Sequence, residues 1–287
     1  MEINEIKYFL AVAKFENIHR ASEDIGISTG SLSKAIKKLE DELSVKLFRR
    51  EGRNIRLTEY GRFLKHKGYE LLTLENSIRS EIVGSDNGFK IVIAGSEILI
   101  SHFGVEIASN IKNRYPNVAI QFEVLEGSEL ISRVRDGEVD LGLTTYNLPK
   151  YFDQKIINSI EFNTYISRKH VLFPKFKKSS SLPIETVLQY PFVVPQKNIF
   201  GKISKSDSND GWRDDMLPRQ IMYTSASLKT IEALVLHGDA IAYLPEYFGV
   251  KSGFEKLKVD GCPYHCSQKV KLFTKNKQRS GWLNSVF

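Results

Sequence analysis

From Ile6 the apolar positions recur at Ile6, Phe9, Leu10 and Ala13, one stripe of an amphipathic helix that the pattern carries to about residue 14. A second, short helix is expected over 20–25, closed by Gly26, which adopts the left-handed conformation that ends a helix. Ser28 is placed to N-cap a third helix, with Leu32, Ala35, Ile36, Leu39 and Leu43 on its inner face. Helix, glycine-bearing turn, helix is the helix-turn-helix plan, whose second helix can enter a DNA major groove. Its outer face carries Thr29, Gly30, Ser31, Ser33, Lys34, Lys37 and Lys38. A β-ribbon then follows as a wing: a strand over 45–49, a turn at Glu51-Gly52-Arg53-Asn54, and a strand over 55–57.

Thr58 and Glu59 open a long helical stretch to about residue 83, with Leu64, Leu71 and Ile78 seven residues apart and Tyr60, Leu74 and Ile82 beside them. That stripe is too narrow to fold alone and calls for a partner helix. The polar, glycine-bounded segment 84–88 reads as a domain boundary. Beyond it the pattern alternates: strand 89–94, helix 98–115, strand 118–125, helix 129–135 and strand 140–144. A second unit reads as strand 191–195, helix 228–236 and strand 240–244. Such alternation predicts βαβ units in a mostly parallel sheet. The expected fold class is therefore a mainly α winged helix-turn-helix domain followed by an α/β domain. Residues 196–219 form a biased polar loop, and Lys175, Lys177 and Lys178 with the serines after them read as a solvated connection.

Charge sharpens this division. The chain of 287 residues is 41% hydrophobic and 26% charged, enough for two domains, and its net charge of +7 invites an acidic partner. Residues 1–68 carry +4, 69–250 carry −3 and 251–287 carry +6. Within 46–56, Lys46, Arg49, Arg50, Arg53 and Arg56 stand against Glu51 alone. Two cysteines are too few for a disulfide framework, and no apolar run approaches a membrane span, so a cytoplasmic protein without a membrane partner is expected.

No P-loop, nucleophile elbow, paired-histidine zinc helix or dinucleotide fingerprint occurs, and the six histidines are scattered. An enzyme, a metal and a cofactor are all unexpected. Cys262, His265 and Cys266 lie within five residues, but no second ligand cluster completes a zinc site. The stretch Asp207-Ser208-Asn209-Asp210-Gly211 imitates a calcium loop, yet Trp212 and Pro218 stand where glycine and a bidentate carboxylate belong, leaving a polar loop.

The stretches Glu5 through Ala13, Leu32-Ser33-Lys34-Ala35-Ile36-Lys37-Lys38-Leu39-Glu40, Leu47-Phe48-Arg49-Arg50 and Leu57-Thr58-Glu59-Tyr60-Gly61 resemble the LysR-type transcriptional regulators. Tyr115-Pro116-Asn117-Val118, Asp136 through Leu143, and Gly238 through Pro245 are similar to that family's effector-binding region. The resemblance implies a DNA-binding domain over 1–58, a dimerising linker helix and hinge over 59–88, and a periplasmic-binding-protein-like effector domain over 89–287. It places one subdomain at about 89–163 and 263–287, the other at about 164–262, around a cleft for a small molecule. It also implies double-stranded promoter DNA as partner and a homodimer through the linker helices, often a tetramer. Thr29-Gly30 stands where the family commonly has Gln-Pro.

The DNA-binding candidates are Ser28, Thr29, Ser31, Ser33, Lys34, Lys37, Arg50, Arg53, Arg56 and Thr58. Thr29, Ser33 and Lys34 are expected on bases, and Arg50 and Arg53 on the phosphate backbone. The effector-binding candidates are Ser96, Ser128, Thr144, Thr145 and Ser227, hydroxyls at strand ends and helix starts. Capping alone also accounts for Ser28, Ser96, Ser128 and Ser227, and solvation for single lysines. Two alternatives stay open: a winged-helix regulator that takes no ligand, and an enzyme with an appended DNA-binding domain.

Overall fold

The computed structural model describes residues 1–52, 54–82, 89–197, 208–262, 266–275, 282–283 and 286–287. It begins with helices α1 (Ile3–Phe15), α2 (Ile18–Ile25) and α3 (Thr29–Leu43), followed by a ribbon of β1 (Phe48–Glu51) and β2 (Asn54–Leu57). The second helix starts earlier than its apolar pattern predicts, because the Asn17 side chain accepts the N–H groups of His19 and Arg20. Ile6, Phe9, Leu32 and Leu39 are at most 1% exposed and anchor one small core, each burial contributing about 1.5–3 kcal/mol.

Leu43 is exposed, against expectation, and Glu40 is buried in its place. The Glu40 carboxylate accepts the N–H of Leu47 at 2.8 Å and of Phe48 at 3.3 Å, and pairs with the Lys46 ammonium at 2.7 Å. Those bonds hold the chain before Phe48 out of the ribbon, so the strand expected over 45–49 starts three residues late. Arg53, at the turn, lies outside the described residues.

Helix α4 (Glu59–Ile82) follows. Gly61 seats its first turn on the wing, since a Cβ there would meet the Leu47 carbonyl oxygen at 2.1 Å. Leu64 was expected on the partner-facing stripe but packs against the N-terminal core. The exposed stripe keeps Tyr60, Leu71, Leu74 and Ile78 of that pattern and adds Phe63. The Ile82 side chain and the linker 84–88 lie outside what the structure describes.

The second domain comprises β3 (Lys90–Gly95), α5 (Glu97–Leu99), a π-helical turn (Ile100–Gly104), α6 (Val105–Arg114), β4 (Ala119–Val124), α7 (Gly127–Asp136), β5 (Leu141–Thr144) and β6 (Asp153–Ile166). It continues through α8 (Phe173–Ser179), β7 (Leu182–Pro183), α9 (Ile184–Val187), β8 (Pro191–Pro195), β9 (Gln220–Ser225), α10 (Leu228–His237), β10 (Ala242–Pro245) and α11 (Glu246–Lys251). Strands β11 (Glu255–Leu257), β12 (Val259–Asp260) and β13 (Ser267–Thr274) complete it. The solvated connection expected around Lys175 is helix α8.

The sheet is mixed rather than mostly parallel. Strand β3 runs parallel to β4 and β5, whereas β13 is antiparallel to β5 and β6. Strand β6 pairs with β13 as far as Glu161 and with β10 from Phe162, so one strand crosses from the first subdomain to the second. Its first half is mainly exposed and polar, which hid it from the hydrophobic pattern. The linker helix rests on the first subdomain: Lys65 pairs with Glu138 at 2.7 Å and Glu70 with Lys275 at 3.1 Å. Lys7 on α1 pairs with Glu75 at 3.1 Å, so α4 joins both domains.

Candidate nucleic-acid interface and effector cleft

The Ser28 hydroxyl accepts the Ser31 N–H at 3.1 Å and meets the Ser31 hydroxyl at 2.9 Å, so these two serines spend their polar groups on the start of α3. Ser33, Lys34 and Lys37 are exposed on its outer face, and Thr29 is half-buried. The basic side chains of this domain sort into two sets. Lys7, Lys14, Lys38, Lys46 and Arg56 pair with Glu75, Asp24, Glu5, Glu40 and Glu16. Arg20, Lys34, Lys37, Arg49 and Arg50 form no ion pair with any described residue.

Two of the expected DNA-binding side chains have partners within the protein. Arg56 donates to Glu16 and its Nε lies 3.3 Å from Glu51. The Thr58 hydroxyl donates to the Lys46 carbonyl at 2.6 Å and accepts the Gly61 N–H at 3.0 Å, which caps α4. Arg20 and Arg49, neither of them on the recognition helix or in the turn, share with Lys34 the lack of an ion pair among the described residues. A groove of about 530 Å³ opens between the start of α2 and the wing, lined by Glu16, Asn17, His19, Ser33, Arg50 and Ile55 among others.

The effector candidates divide as well. Ser96, Thr144 and Thr145 meet, with Leu99, Glu126 and Tyr146, around a cavity of about 10 Å³, room for one water. Ser96 follows β3 at the N-cap position of α5, yet its hydroxyl makes no capping bond. It is 6% exposed and its oxygen has no partner. Thr144 accepts the Tyr146 N–H at 3.1 Å. Ser128 does not line this cavity: the N-cap of α7 is Glu126, and Ser128 sits exposed inside the first turn. Ser227 caps α10 through the Thr230 N–H at 3.4 Å and also stays outside the cavity. Glu126 was not anticipated; partial burial pushes its carboxyl up, opposed by the charge of Lys197.

Elsewhere, the segment read as a polar loop is tied into the core. Arg219 holds Asp210 at 2.7 and 3.1 Å and Asp214 at 2.8 Å, with both Arg219 and Asp210 side chains fully buried. Its guanidinium lies over the Trp212 ring. Cys262 and Cys266 form no disulfide, His265 lies outside the described residues, and no metal-capable cluster occurs among the described ones. No described helix is long and apolar enough to cross a membrane.

Residues 3–62 match the family model of bacterial regulatory helix-turn-helix proteins of the LysR family, and residues 88–265 match the LysR substrate-binding domain. An uncharacterized HTH-type transcriptional regulator of Bacillus subtilis, YybE, is 23% identical over 264 residues, covering 90% of this chain and 88% of its own. The HTH-type transcriptional regulator BudR of Raoultella terrigena is 30% identical over 179 residues, 60% of this chain and 61% of its own. Full-length OxyR from Pseudomonas aeruginosa, as a point variant, superposes with a TM-score of 0.64 at 19% identity, covering 100% of this chain and 94% of that one. Full-length CbnR complexed with its target DNA gives 0.58 at 15% identity, covering 99% and 97%. Two family models, laid end to end over the helix-turn-helix and the cleft-bearing domain in the order just described, make this chain a member of the LysR family of bacterial regulatory proteins.

Proposed function

We propose that the protein regulates transcription in the cytoplasm by binding promoter DNA as a homo-oligomer, and that a small molecule in the cleft alters that binding. The observation that carries this reading is the sorting of charge. Arg20, Lys34, Lys37, Arg49 and Arg50 on α2, α3 and the wing form no ion pair with any described residue, while Lys7, Lys14, Lys38, Lys46 and Arg56 are neutralised internally. Unpaired cations on a recognition helix release counterions when they meet phosphates, which supplies affinity. Thr29, Ser33 and Lys34 at the exposed start of α3 are the side chains for base edges. The apolar stripe of α4 supports a dimer through this helix, with tetramers built by pairing dimers.

A buried hydroxyl without a partner costs about 1–3 kcal/mol, which a ligand accepting or donating at Ser96 would recover. A cavity of about 10 Å³ admits nothing larger than water, so any effector must favour an arrangement in which this space, lined by residues 96–146 of the first subdomain, is wider. No histidine, lysine or cysteine lines the cavity to activate Ser96, which supports binding rather than turnover. Selection of bound duplexes from a random DNA pool by the full chain tests the whole reading. Enrichment of a two-fold-symmetric site, shifted by an effector, is expected; no enrichment over the starting pool would overturn it.

A further inference from the structure

The space beside Ser96 is walled by leucines and by a small polar set, Ser96, Thr144, Thr145, Tyr146 and Glu126. Among the described residues no lysine, arginine or histidine lines it, and Glu126 supplies its one carboxylate. That carboxylate makes no capping bond to α7 and no ion pair with a described residue. Glu126 is exposed and stands at the mouth of the space, whereas Ser96, 6% exposed, stands within. Partial burial pushes the Glu126 carboxyl up, and a cation bound beside it would pull it back down.

Size narrows the group that can enter. A volume of about 10 Å³ takes one heavy atom, such as a water, a hydroxyl or an ammonium, and has no room for a carboxylate or a phosphate. Charge narrows it further. The start of a helix draws an anion, but Glu126 at the N-cap of α7 already sets a negative charge there. A second anion would face that carboxylate among leucines, where an unpaired charge is costly. Hydrogen bonding points the same way, because an ammonium donates three bonds and accepts none. The Ser96 oxygen has no partner, and the Thr144 oxygen, which accepts the Tyr146 N–H at 3.1 Å, keeps a second lone pair. With Glu126 these acceptors come from the end of β3, the end of β5 and the start of α7. The protein's own Lys271 does not fill the role: its ammonium donates to the Tyr146 carbonyl at 3.0 Å and to Asn147 at 3.1 Å, and Lys271 does not line the space.

We infer that the head group received beside Ser96 is an organic primary ammonium, held by Ser96 and Thr144 and paired with Glu126, so that the effector is an amine rather than a carboxylate. This rests on the reading of the space as the effector site and narrows that reading to one chemical class. The leucines suit the alkyl stem that carries such a head, and the rest of the molecule requires the wider arrangement.

Ligand-observed NMR titration of the full chain with n-butylammonium, n-butanol and butyrate, probes that differ in the head group, tests the inference. The ammonium is expected to bind at least about tenfold more tightly than butyrate, with n-butanol between them. Glu126→Gln, which keeps the shape and removes the charge, is expected to weaken n-butylammonium about fivefold and to leave n-butanol within about twofold. Ser96→Ala is expected to weaken both about threefold, because both donate to that oxygen. Butyrate binding as tightly as n-butylammonium, in a manner that Ser96→Ala weakens, overturns the amine assignment and leaves the effector site in place. Unchanged n-butylammonium binding in Glu126→Gln does the same. If none of the three binds, or if Ser96→Ala alters none of them, the space takes water only, and the effector reading at Ser96 falls together with the inference.

Discussion

The groove beside the recognition helix holds about 530 Å³ between Arg50 and His19, whereas the cavity beneath Ser96 holds about 10 Å³ among hydroxyls and leucines. The first is large and already formed; the second is a water-sized space beside an unsatisfied oxygen. A site for a long polyanion needs exposed cations and no rearrangement, so its side chains point outward with their charges unspent. A site meant to report on a ligand needs two arrangements that the ligand distinguishes. Ser96 paying for burial without a partner gives the ligand something to favour in one of them. Subdomain two adds a third use of charge, since Arg219 spends its guanidinium entirely on Asp210 and Asp214 inside the core.

The largest expected effect comes from that inward-facing charge. Arg219→Ala leaves Asp210 buried without its counter-ion and is expected to cost about 3–5 kcal/mol of stability in denaturant unfolding, while duplex affinity in the folded protein stays within about twofold. A loss of DNA affinity in folded Arg219→Ala protein would show that the two charge systems are not independent.

How much of this was legible in the sequence depended on how far apart the partners lie. Gly26 and the Ser28 cap act within a few residues, and both are found where the pattern put them. Strand β8 also falls at Pro191–Pro195, as its apolar run between prolines predicts. Arg56 could not be read as a neutralising partner, because Glu16 lies 40 residues upstream and nothing in the local pattern joins them. Lys38 looked like its neighbours Lys34 and Lys37, and only the folding of α1 against α3 brings Glu5 to it. Among the cleft candidates, position at strand ends brings Ser96, Thr144 and Thr145 to one cavity, whereas Ser128 lies outside it because α7 begins two residues earlier than the capping pattern suggested. Strand β6 was missed because its first half is mainly exposed and polar.

At the cleft a much smaller effect is expected in the free protein. Ser96→Ala deletes a hydroxyl that makes no hydrogen bond, so thermal unfolding should leave stability unchanged or raised by up to about 1 kcal/mol. A loss larger than about 1 kcal/mol would mean that the hydroxyl has a partner in the unliganded state, and the contrast between a finished groove and an unfinished cleft would not hold.

The sorting of charge on the DNA-binding domain is tested most directly by the salt dependence of duplex binding for three variants that each remove one cation. Lys34 and Arg50 are unpaired, while Lys38, on the same helix as Lys34, is held by Glu5 and Glu2. Lys34→Ala and Arg50→Ala are each expected to reduce the slope of log affinity against log salt by about 0.9, one phosphate contact apiece, and Lys38→Ala to leave it unchanged. Equal slope losses for all three would contradict the account, because pairing within the protein would then not decide which cations meet DNA.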